Sequence, residues 1–299
     1  MSKAPDNNHN QLDFFIASLV DLSLRDQRET MEVPFFSLAK SPRFEPIIYQ
    51  TRDCYVKVSP SVSYGMATIW DADILIWAAS QINAAQERGL TPSRTLQLHP
   101  YDLLKAINRH TGKRSYDLLR DALRRLQSTS IETDIRAKGK KRLAQFSWIE
   151  SWSEIIDEKT GRSDGMKITL SEWFYEGVLD QQLLLSIPSA YFDITGGTER
   201  WLYRLVRKHA GRQASGWSCT FSTLHKKSGS TQRPSDFSRD IRKIITADNL
   251  PEYHLEMHQG ERNEPVMYAV RRDKLPVGHA AAEFIPALSR HLPSSVKSD

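Results

Sequence analysis

Residues 100–127 read PYDLLKAINRHTGKRSYDLLRDALRRLQ. Pro100 suits the first turn of a helix, where its missing N–H costs nothing, and Leu103, Leu104 and Ile107 then share one face. Thr111-Gly112-Lys113-Arg114 makes a tight turn. Ser115 is a good N-cap for a second helix reaching about Gln127. In that helix Leu118, Leu119, Ala122, Leu123 and Leu126 recur at helical spacing, while Asp117, Arg120 and Arg124, with Lys113 just ahead, lie opposite. A helix, a short glycine turn and a second helix with arginines outward make the helix-turn-helix layout. Ser130–Arg136 and Leu143–Ile149 then read as strands around the basic tip Ala137-Lys138-Gly139-Lys140-Lys141, a β-hairpin wing.

The same order recurs downstream. A linking region predicts strand 166–170, a short helix over 172–178 and strand 183–187. Gly196-Gly197 opens a helix over 198–209 that buries Trp201, Leu202, Leu205 and Val206 and turns Arg200, Tyr203, Arg204 and Arg207 outward. Phe221–Lys227 is a short helix, Ser228-Gly229-Ser230-Thr231 the turn, and Ser235 caps a helix to about Ala247. There Phe237, Ile241, Ile244 and Ile245 face inward, and Ser235, Arg239, Arg242 and Lys243 face out. Strands 253–258 and 266–271 pair around Gln259-Gly260-Glu261 as a second wing. The expected fold class is α+β, with two tandem winged-helix domains at 31–165 and 166–272. A flexible arm (1–30) precedes them and a flexible tail (273–299) follows. Ahead of the first helix-turn-helix, strands are expected within 46–58 and an amphipathic helix over 70–88, ended by Gly89.

The 299-residue chain carries a net charge of +5, but the charge is unevenly placed. Residues 105–145 hold 12 Lys and Arg among few acids, and residues 200–243 hold 11 against 2, leaving the remainder acidic. Two basic islands are the electrostatic signature of two contacts with phosphate, the alternative being solvated basic faces. A major groove about 12 Å wide admits one helix, and arginine reads guanine through two hydrogen bonds. Arg120, Arg124, Arg239 and Arg242 are the candidate base readers; for Arg120 and Arg124 the alternative is ion pairing with Asp117 and Asp121. Lys113, Lys138, Lys140, Lys141, Lys226 and Lys227 suit phosphate, and Arg114, Ser115, Tyr116, Arg233 and Ser235 are further candidate DNA-binding residues. Arg200, Arg204 and Arg207, on the first helix of their unit, are further phosphate candidates.

No enzyme, cofactor or metal site is expected. His254 and His258 lie in a strand rather than in a helical zinc motif, and Gly112-Lys113 lacks the rest of a phosphate loop. No acidic cluster resembles a two-metal nuclease. Two isolated cysteines, a polar N-terminus and no apolar run of membrane length predict a cytoplasmic protein.

Six runs carry a specific resemblance. They are PFFSLAKSPR (34–43), ATIWDADILIWAASQI (67–82), YDLLRDALRRLQSTSIETDIR (116–136), FSWIESW (146–152), ITLSEWFYEGVL (168–179) and ITGGTERWLYRLVRKHAGR (194–212). In this order they resemble the plasmid replication initiator protein A family, over about residues 31–272. The resemblance implies an initiator that binds repeated origin sequences (iterons) in double-stranded DNA and helps melt an adjacent A·T-rich region. It also implies recruitment of the host initiator and replicative helicase, and a homodimer formed through the N-terminal unit. A plasmid-borne winged-helix repressor that never loads a helicase is the alternative.

Overall fold

Between Trp70 and Gly89 the chain is rich in Ala, Ile, Leu and Trp, and it folds as a helix that buries 13 of its 16 residues. The sequence predicts one apolar face here; in the structure Asp73, Ser80, Gln81 and Asn83 are inside as well, so the helix is enclosed on nearly every side. The computed structural model describes residues 22–136, 143–211 and 213–282.

In chain order the first half comprises β1 (Arg25–Gln27), β2 (Ile47–Gln50), β3 (Tyr55–Ser59), the enclosed helix α1 (Ala72–Glu87), β4 (Thr95–Leu98), α2 (Pro100–Ala106) and α3 (Lys113–Ser128). Next come β5 (Ser130–Thr133), β6 (Ala144–Phe146), β7 (Ile149–Ile156), β8 (Ser163–Leu170), α4 (Glu172–Leu179) and β9 (Leu184–Ser186). The second half comprises α5 (Gly197–His209), β10 (Trp217–Thr220), α6 (Phe221–Ser228), α7 (Pro234–Ala247), β11 (Tyr253–Gln259) and β12 (Pro265–Arg271).

One arrangement occurs twice. Helix, strand, helix, helix, strand, strand describes α1-β4-α2-α3-β7-β8 and again α5-β10-α6-α7-β11-β12. Each set forms an antiparallel sheet in which the last strand lies between the other two, β4-β8-β7 and β10-β12-β11. In the first set, β5 and β6 are inserted between α3 and β7. They join β2 and β3 in a separate four-stranded sheet.

Three sequence expectations are corrected here. The hairpin expected over 130–149 belongs to that separate sheet, and the strand pair equivalent to β11–β12 is β7–β8. The basic tip with Lys138, Lys140 and Lys141 lies outside the described residues. The expected boundary at 165/166 falls inside β8, which pairs with β4 on one side and β7 on the other and so cannot be divided from them. Nor are residues 22–30 a loose arm: β1 pairs antiparallel with β9, and Asp26, Gln27 and Thr30 are buried.

The two helix pairs, α2–α3 and α6–α7, form where the apolar spacing predicts, with shifted starts of α3 and α7. Gly112 precedes α3, so Ser115 lies inside its first turn; Leu119, Ala122, Leu123 and Leu126 are buried, but Leu118 is 54% exposed. In α7, Pro234 takes the first helical position that its fixed φ favours, which places Ser235 within the helix and not at its cap. Phe237, Ile241 and Ile244 face inward.

A single apolar cluster runs through both halves. At its aromatic centre Trp148 stacks on Phe36 with centroids 4.8 Å apart and meets Phe35 edge-on at 5.4 Å, while Phe146 stacks on Trp173 at 4.3 Å. These rings come from three of the quoted runs (34–43, 146–152 and 168–179), so motifs distant in sequence are one packed unit.

The α6–α7 turn is pinned to the first half. Gly229 has φ +60°, and a Cβ there would lie 2.6 Å from Cβ of Pro34, so both backbone and space demand glycine. Arg43 Nη1 donates to the Gly229 carbonyl at 2.6 Å. Glu32 accepts from Lys208 and, at 2.9 Å, from Lys227. Burial pushes the Glu32 carboxyl up, but the two lysines outweigh it and bring it down to about 2 from an ordinary 4.5. A folded value below the unfolded one means full support above about pH 4.5, lost as pH falls toward about 2. Urea denaturation across that window is expected to show stability falling with pH in the native chain, with a shallower fall in Glu32→Gln; equal slopes would remove Glu32 from the contact.

Candidate nucleic-acid interface

On α7 the residues opposite Phe237, Ile241 and Ile244 are Ser235, Ser238, Arg239, Arg242, Lys243 and Thr246. Their spacing of three and four makes one stripe along the helix, and it lines an open concavity. Arg239 and Lys243 side chains are 62% and 70% exposed, and their acidic partners lie three residues back on the same helix. Asp236 takes Arg239 at 3.0 Å and Arg233 at 2.8 Å, and Asp240 lies 3.6 Å from Lys243. Exposed pairs of this kind contribute roughly 0–1 kcal/mol, so phosphate or a base edge can displace them. The Arg242 guanidinium lies 5.3 Å from the Phe221 ring centroid, and Nη1 donates to Sδ of Met257 at 2.7 Å. An aromatic face and a thioether hold this group in place without neutralising it. Lys226, on α6, is exposed nearby, whereas Lys227 is half-buried on Glu32 and turned from solvent.

The corresponding face of the first unit is self-neutralised. Arg120 grips Glu154 of β7 with two hydrogen bonds, 2.8 and 3.2 Å, and Asp117 with a third at 3.0 Å. Burial raises the Glu154 carboxyl, but the bonds from Arg120 and Ser163 and the nearby positive charges together outweigh it, so Glu154 titrates below the usual range. Arg124 pairs with Asp121 at 2.8 Å, its guanidinium 5.9 Å from the Tyr64 ring. The ion-paired alternative therefore describes Arg120, through a tie to Glu154 that α3 alone could not reveal, while Arg124 keeps only an exposed pair of the weak, local kind. Lys113 and Arg114 are exposed in the first turn of α3, and Ser115 and Tyr116 are half-buried beside them.

The expectation for α5 is overturned. Arg200, Arg204 and Arg207 are 2%, 3% and 6% exposed, and Tyr203 is fully buried. Arg200 binds Asp73 at 2.6 Å and the carbonyls of Ile194 and Phe192. Arg204 takes both carboxylate oxygens of Asp26, at 2.6 and 3.0 Å, and Oγ1 of Thr30. Arg207 donates to the backbone and side-chain oxygens of Ser186. Each guanidinium is buried and hydrogen-bonded inside the protein, so none is presented to phosphate. The second basic island is thus smaller on the surface than in the sequence.

The sequence profile of the family described as "RPA: Replication initiator protein A" matches residues 25–255. The chain belongs to the replication initiator protein A family. A protein of Wigglesworthia glossinidia brevipalpis named "Putative replication protein" is 34% identical over 248 residues, covering 81% of this chain and 88% of that one. The fold is similar to domains 2 and 3 of RctB in two crystal structures. One, of selenomethionine derivatives, gives a TM-score of 0.60 at 13% identity, covering 81% of this chain and 97% of that one. The second gives 0.54 at 13% identity, covering 80% and 95%. The family match opens at Arg25, the first residue of β1. No helix among the described residues is long and apolar enough to cross a membrane. Ser238 and Thr246 were not singled out in the sequence, although they stand three and eleven residues beyond Ser235 on its face.

Proposed function

We propose that the chain starts replication by binding iterons in double-stranded DNA, with α7 entering the major groove. The two repeated arrangements then act as tandem winged-helix units, and the second is the principal reader. The observation that carries this is the α7 stripe: three exposed cations and three hydroxyls on one helix face, countered only by weak local pairs. Hydroxyls and lysine suit phosphate oxygens, and arginine suits guanine edges. The first unit contributes phosphate contact through Lys113 and Arg114, where the start of α3 adds its own positive end, while Arg120 holds structure.

On this reading the chain carries no catalytic activity of its own and works in the cytoplasm. It melts the origin and brings the host initiator and replicative helicase to it, and the N-terminal unit forms the homodimer. Footprinting of the purified protein on its own origin tests the central claim. Protection of tandem repeats that disappears in an Arg239→Ala, Arg242→Ala variant supports it; protection indifferent to those changes overturns it. Lys226→Ala is expected to weaken binding evenly on all sequences and to flatten the salt dependence of log K by about one unit. An unchanged slope would place Lys226 outside the interface.

A further inference from the structure

Residues 272–282 return from β12 and lay His279 against the outer hairpin strand, β11. In β11 alternate side chains point to one face, so His254, Glu256 and His258 lie in a row. The ring of His279 stands 5.3 Å from that of His254. One potential ligand atom from each of His254, Glu256 and His279 falls in a group whose members all lie within 4.8 Å of one another. We propose that these three residues bind one divalent ion of the zinc class, clamping segment 272–282 onto the second unit's hairpin.

The donor set and its support fit that ion. Two imidazoles and a carboxylate leaving a further position open is a common zinc arrangement. Bonds of about 2.0–2.2 Å place tetrahedral ligand atoms roughly 3.4 Å apart, so a side-chain adjustment on the order of an ångström closes the group. Oδ2 of Asp248 accepts from Nδ1 of His254 at 2.7 Å and is itself held by Arg272 at 3.0 Å. That is the outer carboxylate which orients a metal-bound histidine and fixes which nitrogen faces the metal. Nε2 of His254 then faces Oε1 of Glu256 at 3.0 Å. A cation seated between the ring nitrogen and this carboxylate oxygen engages both donors at once. His258 holds the other Glu256 oxygen from 3.1 Å, and water is left as the fourth donor. Ligation by His279 costs the 3.2 Å bond its Nδ1 accepts from the Ala281 N–H. Gly278, with φ +83° and open space around it, lets the segment adjust.

Untagged full-length protein, stripped with EDTA and dialysed, is titrated with Zn2+ by calorimetry and with Co2+ by visible absorption. One equivalent of Zn2+ is expected, with an intense tetrahedral Co2+ band. His279→Ala and Glu256→Gln are each expected to weaken Zn2+ binding about tenfold or more, at unchanged far-UV circular dichroism. Absence of Zn2+ binding to the native chain, only the weak octahedral Co2+ spectrum, or full affinity in both variants would overturn the site. The Co2+ spectrum of the native chain decides the matter even if a variant fails to fold. A change in melting with pH but none with Zn2+ would also overturn it, leaving a second ring proton in the ion's place.

Discussion

Asp73→Ala is expected to cost about 3–5 kcal/mol of folding stability. Asp73 lies on α1, is 0% exposed, and receives Arg200 from α5 and Arg109 from the segment after α2, each at 2.6 Å. Arg109 is 35% exposed at its side chain and can turn to water. Arg200 cannot: its other donors are committed to the carbonyls of Ile194 and Phe192, and its side chain is 2% exposed. Removing the carboxylate strands a guanidinium charge in the interior, a desolvation cost with nothing to offset it. Against a typical total of about 5–15 kcal/mol, that is a large share. Adding Arg200→Met is expected to recover much of the loss, because an apolar side chain of similar volume needs no partner. Urea midpoints for both variants check this. A cost below about 1 kcal/mol for Asp73→Ala would mean that water reaches Arg200.

Arg239→Ala is expected to weaken binding to the cognate repeat by about 1–3 kcal/mol and to relax sequence preference at one base pair. Together with Arg242→Ala the loss grows toward about 2–6 kcal/mol, with departure from additivity because the residues are three apart on one helix. Both side chains are exposed, so stability is expected to move by no more than about 0.5 kcal/mol. Competition binding on cognate and scrambled duplexes separates two roles. A loss confined to the cognate sequence marks base reading, and an equal loss on both makes Arg239 a phosphate contact. Arg120→Ala is the contrasting case: it frees Glu154 and loosens the α3–β7 tie while leaving sequence preference as it was.

The same physics explains what the sequence disclosed. Leu119, Leu123 and Leu126 in α3, and Phe237, Ile241 and Ile244 in α7, recur with the helical period, and the glycines of the two turns punctuate them. Local spacing is enough to place both helix pairs. The arginines of α5 show the limit of that reasoning. Helical phase put Arg200 and Arg204 opposite the apolar stripe, and an isolated helix would expose them. Their partners Asp73 and Asp26 lie 127 and 178 residues away, a separation at which no periodicity reports contact. Arg120 falls between these cases. Asp117 was visible three residues back, but Glu154 is 34 residues on, across a hairpin. Strands β4 and β10 escaped notice for another reason. Thr-Leu-Gln-Leu and Trp-Ser-Cys-Thr do alternate, but over four residues the pattern is too short to stand out, and each is held by a neighbouring strand.

The burial of Asp26 sets where this polypeptide may be shortened. A version starting at Met31, the expected start of the first domain, would carry every motif and every DNA-facing cation yet lack the counter-ion of Arg204 and the strand beside β9. Trimming for crystallisation or fusion therefore belongs upstream of Arg25, and a protease nick between residues 25 and 31 would act as an unfolding event and not as the removal of a tag.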